Sequence, residues 1–222
     1  MKSALKYIIP LVLIPLTVIV GACVFSEKSY SFVSMAVALL SCILFYASYE
    51  RKGKTRRLII VSVMTAIAVI GRFIFAPIPA FKPVTAVVVL TAIYLGSSAG
   101  FLTGSFSALI SNFYFGQGPW TPFQMLAWGL IGFLAGIFQK KLRNRFFLSL
   151  YGIFSGVFYS LILELWNVLW YNNGFDRNLY ITFLLSSLPH TLIYAVSNVI
   201  FLMLMYKPVG KKLERVEKRI FA

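Results

Sequence analysis

Three features of this chain predict an all-α integral membrane fold of about eight transmembrane helices. The chain is 59% hydrophobic and 12% charged, about half the charge of an ordinary soluble domain. Its apolar residues come in runs of about 20, the length that crosses about 30 Å of hydrocarbon. Its 21 Lys and Arg gather in short clusters between those runs, the pattern of cytoplasmic loops under the positive-inside rule.

The elements follow in order. Apolar runs at 6–25 and 31–49 are joined by the polar turn Ser26-Glu27-Lys28-Ser29-Tyr30. A basic linker at 51–57 precedes a third run at 58–76. From Pro83 to Gln139 the chain carries no charge; as one helix that stretch would be about 85 Å long. Lys82 and the cluster beginning at Lys140 belong on opposite faces, so the stretch crosses an odd number of times, and three is the sensible count. Gly96-Ser97-Ser98-Ala99-Gly100 and the glycines and prolines of 116–122 mark the breaks, giving helices at 84–95, 101–115 and 122–139. The first two are short for a full span, as helices that border a cavity often are. A seventh run covers 146–170 and an eighth 180–206, before a basic cytoplasmic tail at 207–222.

With both termini inside, 17 of the 21 Lys and Arg lie on the cytoplasmic side. The net charge of +15 is therefore a topology signal, and nucleic-acid binding is set aside. Cys23 and Cys42 sit inside apolar runs without metal-ligand spacing, so no cofactor or metal is expected. Val20-Gly21-Ala22-Cys23 loosely resembles a lipoprotein cleavage site, but a retained helix is the simpler reading. No phosphate-binding Gly-rich loop occurs, so any ATP-derived energy comes from a partner.

The candidate chemistry lies at the outer face, where loops 77–83, 116–121 and 171–179 converge. The first holds Phe81 and Lys82 between prolines; the second holds Gln117 and Trp120. The third follows Glu164, Trp166, Asn167 and Trp170. All four tryptophans fall in this half. An interfacial aromatic belt explains part of that pattern, while rings beside amides also suit a flat, polar-edged ligand. Phe123 opens the following helix, Gln124 and Trp128 share one of its faces, and Asn112 and Tyr114 end the preceding helix. Asn112 and Gln124 equally suit interhelical hydrogen bonding. Intramembrane ionisable groups are few, which singles out Arg72, Glu164 as its most plausible ion partner, and His190. No paired-carboxylate, H-E-x-x-H or G-x-S-x-G arrangement is present, so an enzyme is not expected.

One string is specific: Ser111-Asn-Phe-Tyr-Phe-Gly-Gln-Gly-Pro-Trp-Thr-Pro-Phe-Gln-Met125 running into Ala127-Trp128-Gly129, preceded by Pro79-Ala-Phe-Lys-Pro83. With the six hydrophobic segments of 58–206, it resembles the substrate-binding S components of energy-coupling factor (ECF) vitamin transporters. Residues 1–50 are then two additional N-terminal transmembrane helices beside a six-helix S-component-like core. The resemblance implies a high-affinity vitamin receptor in a bacterial cell membrane, working with a transmembrane coupling protein and two cytosolic ATPases. Its ligand site is expected among Arg72, Phe81, Lys82, Asn112, Tyr114, Gln117, Trp120, Phe123, Gln124, Trp128, Glu164, Asn167 and His190. The family's Ala-xxx-Ala docking face finds its nearest match in Ser62 and Ala66, whose small side chains still permit close helix approach. The string looks most like cobalamin-type members, with riboflavin or another flat heterocycle also suited to the site. A membrane scaffold protein and a self-sufficient secondary transporter are the competing classes; scarce intramembrane carboxylates weigh against the latter.

Overall fold

The computed structural model describes residues 2–24, 30–48, 54–172 and 174–221, and these form helices joined by short loops. Helix α1 (Lys2–Ile8) passes through a π-helical turn (Ile9–Leu13) into α2 (Ile14–Val24). The turn contains Pro10, which has no N–H to give the helical ladder. Then come α3 (Tyr30–Ser48), α4 (Lys54–Ile74), α5 (Val84–Leu95), α6 (Ser97–Phe115) and α7 (Trp120–Ile137). A short α8 (Gln139–Leu142) leads to α9 (Arg145–Asn172), α10 (Arg177–Ser186) and α11 (Leu188–Phe221).

Among the described residues six stretches are long and apolar enough to cross a membrane: Leu5–Cys23, Tyr30–Ser48, Thr55–Ile74, Trp120–Ile137, Arg145–Asn172 and Leu188–Lys218. The two remaining bundle helices, α5 and α6, have a different role. All 12 residues of α5 are buried, so this helix is wrapped by protein and need not span lipid by itself. Helix α6 carries Ser, Thr and Gly along its buried positions, a face suited to helix contact rather than to acyl chains. The expected short, cavity-bordering pair is thus the interior of the bundle.

Glycines set the distance between α6 and α7. A Cβ at Gly104 would fall 2.3 Å from the Trp128 carbonyl oxygen, and one at Gly132 would fall 2.3 Å from the Gly100 carbonyl oxygen. The two backbones therefore touch, which only glycine permits. The N-terminal hairpin lies against this pair: Ser98 donates to Ser48 at 2.6 Å, and Tyr7 meets the Phe133 ring edge-on at 6.1 Å.

Three boundaries depart from expectation. Helix α6 begins at Ser97 rather than at 101 and is 19 residues long, so Gly96 alone breaks the chain there and α6 is not a short helix. The run at 180–206 is not one helix: α10 starts on Asp176, whose carboxylate accepts from the Leu179 N–H at 2.7 Å, and ends at Ser187. Pro189 forces the break, because inside a continuous helix it would remove a hydrogen bond and clash with the carbonyl four residues back. The basic C-terminal segment is a continuation of α11, a helix of 34 residues and so about 51 Å long. Its C-terminal part docks on the loop between α8 and α9, with Glu217 paired to Arg143 at 2.9 Å and the Tyr206 hydroxyl donating to the Arg143 carbonyl. The turn at 25–29 and residues 51–53 of the basic linker lie outside the described residues.

Candidate ligand site

Two hydrogen-bonded chains, joined by the stacking of Trp128 on Tyr159, run through one half of the core and together touch six helices. The first begins on α4, where the Arg72 guanidinium donates to Asn112 Oδ1 at 2.8 Å and to the Ser111 hydroxyl, both on α6. The Asn112 amide nitrogen then donates to two groups on α7, Thr121 at 3.0 Å and Gln124 Oε1 at 2.9 Å. Gln124 engages the Tyr159 hydroxyl on α9. One turn deeper, Trp128 donates its indole N–H to the Tyr194 hydroxyl on α11 at 2.7 Å. Tyr194 in turn meets Thr85 of α5, also at 2.7 Å. Asn112, Trp128 and Tyr194 are completely buried, where each unmade hydrogen bond would cost about 1–3 kcal/mol.

Aromatic side chains frame this network on two facing helices. Trp128 of α7 stacks on Tyr159 of α9, with centroids 5.2 Å apart and planes at 28°. At the N-terminal end of α7, Trp120 meets Trp166 of α9 edge-on at 5.8 Å, and Trp166 continues to Trp170 at 6.0 Å. Trp120, Gln124 and Trp128 are spaced i, i+4, i+8 and so form one stripe of α7. At the head of that stripe lies a cavity of about 440 Å³ lined by Gln117, Gly118, Pro119, Trp120, Trp170 and the first residues of α3, Tyr30 and Ser31. That volume falls in the usual range for small-molecule sites. The indole N–H of Trp166 is buried without a partner among the described residues, a donor available to a ligand.

The cationic groups sit beside these rings. The Arg72 guanidinium lies 4.6 Å from the Phe115 centroid and 5.3 Å from that of Trp128. Lys82 Nζ is 5.9 Å from the Tyr194 centroid. The backbone of Lys82 fixes its loop to α11, its N–H donating to the Ser197 hydroxyl at 3.0 Å. Burial, reinforced by the nearby Arg72 charge, pushes the Lys82 ammonium down to about 8. Ala80 in this loop adopts a positive φ of 58°, an unusual conformation for a residue with a Cβ, which turns the chain back toward the core.

The expected site residues divide accordingly. Arg72, Lys82, Asn112, Gln124 and Trp128 converge in the network, and Gln117 and Trp120 line the cavity above it. Gln117 also braces its loop by donating to the Leu109 carbonyl at 2.9 Å. Phe81 packs between Phe75 and Phe201, and Phe123 is 2% exposed in the core. Tyr114 points away, 74% exposed against Phe73. Glu164 is not the partner of Arg72: its carboxylate accepts from Asn167 at 2.6 Å, one turn along the same helix, while neutral oxygens on α6 satisfy the guanidinium. His190 lies exposed on α11, with Lys82 and Glu164 as its charged neighbours. The sequence reading passed over Thr85, Tyr159 and Tyr194. Their signal was present, since tyrosines this deep in an apolar helix need a hydroxyl partner.

Ser62 and Ala66 line a second cavity, of about 350 Å³, on the flank of the bundle between α4, α6 and α3, with Thr65, Phe106 and Cys42 among its walls. The Ser62 hydroxyl is turned back onto the Leu58 carbonyl of its own helix at 3.0 Å, leaving an apolar surface.

No curated protein and no solved structure matches the chain. Residues 52–214, from the start of the basic linker into the C-terminal part of α11, match the family model described as the S component of the ECF-type riboflavin transporter. With a membrane bundle in place and a match spanning most of its length, this chain belongs to the family of ECF-type riboflavin transporter S components.

Proposed function

We propose that the chain is the flavin-capturing subunit of an ECF importer, with its ligand held between α7 and α9 beneath the outer loops. The family match is described for riboflavin and not for cobalamin, so riboflavin replaces cobalamin as the expected vitamin. The aromatic slot carries the reading: Trp120 with Trp166 and Trp128 with Tyr159 bracket the hydrogen-bonding Gln124. A tricyclic flavin offers a flat face to such rings and a carbonyl-rich edge to donors. Arg72, held in place by Asn112, supplies fixed donors for that edge, and the Trp166 N–H supplies another.

As an S component the chain captures the vitamin, and the energy for import comes from partners. The groove bearing Ser62 and Ala66 is the proposed docking face for the transmembrane coupling protein, since its small side chains let a helix approach closely. In this reading residues 58–206 are the functional core, and residues 1–50 are an added hairpin packed on α6 and α7.

Equilibrium titration of the purified protein with riboflavin, cobalamin, thiamine, folate and biotin tests the assignment. Stoichiometric quenching of flavin fluorescence, with no response to the other vitamins, is the expected result. Binding of cobalamin alone would return the earlier expectation, and folded protein that binds none of the five would favour a scaffold role.

A further inference from the structure

Helices α2 and α3 precede the residues that match the family, yet their side chains are built into the same core. Val33, Val37, Ser41 and Leu44 are all buried, and their spacing of three and four residues makes one stripe of α3. Val37 and Leu44 share an apolar cluster with Trp128 and Phe133 of α7. On the other side α2 packs against α3 so closely that a Cβ at Gly21 would fall 2.5 Å from a Val33 methyl. At its far end α3 is tied by Ser48, which accepts from Ser98 of α6. The rotation and height of α3 are therefore fixed, and Tyr30, three residues before Val33, continues the buried stripe to the loop between α6 and α7.

There Tyr30 and Ser31 form one wall of the cavity of about 440 Å³, facing Gln117, Trp120 and Trp170. The opposite wall is firmly held. A Cβ at Gly118 would fall 2.3 Å from the Trp120 ring, so the indole lies on the loop backbone, and Gln117 is tied to the Leu109 carbonyl. This cavity mixes rings with hydroxyl and amide groups, whereas the slot beneath it is bracketed by rings. A flavin has two parts with matching demands: a flat tricycle, and a flexible chain of hydroxyl groups on its central ring. A hydroxyl sealed among rings without a partner is costly, so the chain belongs in the mixed cavity and the tricycle in the slot.

We propose that the N-terminal hairpin is part of the ligand site, and that Tyr30 and Ser31 are specificity-determining residues that hold the hydroxylated side chain of the flavin. This rests on the flavin reading and assigns the hairpin a share in it. The hairpin then supplies a wall that the six-helix core alone does not have.

The test is a fluorescence titration of the full-length purified protein with riboflavin and with lumiflavin, which carries a methyl group in place of the hydroxylated chain. The parent should bind riboflavin more tightly. Tyr30→Ala is expected to weaken riboflavin about tenfold, the scale of one lost ring contact, and to leave lumiflavin unchanged. Ser31→Trp, at an exposed position facing the cavity, should fill it and erase the preference for riboflavin without disturbing the fold; it decides the matter if Tyr30→Ala does not fold. Phe32→Ala is the control, since Phe32 is 77% exposed and does not line the cavity, and it should bind both ligands as the parent does. A parent without preference, a preference intact in the Tyr30 and Ser31 variants, or an equal loss for both ligands overturns the proposal while sparing the flavin reading. Folded parent protein that binds neither flavin overturns both.

Discussion

Trp128 and Tyr194, 66 residues apart in sequence, are joined by a 2.7 Å hydrogen bond between indole N–H and phenol oxygen at the centre of the bundle. Tyr194→Phe leaves that N–H, and the Thr85 hydroxyl behind it, without a partner. The expected loss is about 1 kcal/mol of stability, the scale of interhelical hydrogen bonds in membranes. Thermal unfolding of the unliganded protein in detergent measures it. Trp128→Phe and the double variant complete a cycle, and strictly additive losses would show that the two groups are not coupled.

Arg72 is a positioning group as well as a donor, because its guanidinium holds Asn112 Oδ1 while Asn112 holds Gln124. Arg72→Lys retains the charge but not the planar group that donates from Nη1 while lying over the Phe115 and Trp128 rings. Flavin affinity is expected to fall about tenfold, equivalent to about 1.4 kcal/mol, and Arg72→Met should lose more. Unchanged affinity in both would remove Arg72 from the site.

Trp120 lines the cavity of about 440 Å³ and Gln124 lies one turn below it on the same stripe of α7. Trp120→Ala is expected to weaken flavin binding about tenfold, the scale of one stacking contact, with little change in the yield of folded protein. Gln124→Ala should act similarly, with a small additional cost because the buried Asn112 amide loses one of its two acceptors. Parent-like affinity in both variants would move the ligand elsewhere.

The contact between α6 and α7 tolerates no side chain at Gly104, where a Cβ would lie 2.3 Å from a carbonyl oxygen. Gly104→Leu should abolish recovery of monodisperse protein. Gly174→Ala is the control, since nothing lies within 4 Å of the position its Cβ would take, and it should behave as the parent.

Much of the architecture was legible in one dimension. Lipid demands about 20 apolar residues per crossing, so the long helices were countable. Helix α5 was placed at its observed bounds because Pro83 and Gly96 punctuate it. Lys82, Trp120, Gln124 and Trp128 stood out because polar and aromatic groups are scarce in such a chain. What tertiary structure alone decided is partnership. Whether Arg72 meets Glu164 or Asn112 depends on how α4 and α9 are rotated about their axes, and hydropathy does not record rotation. The same rotation carries Tyr114 to the outside and brings Tyr159 and Tyr194 to the centre, where rings from distant parts of the chain close the site.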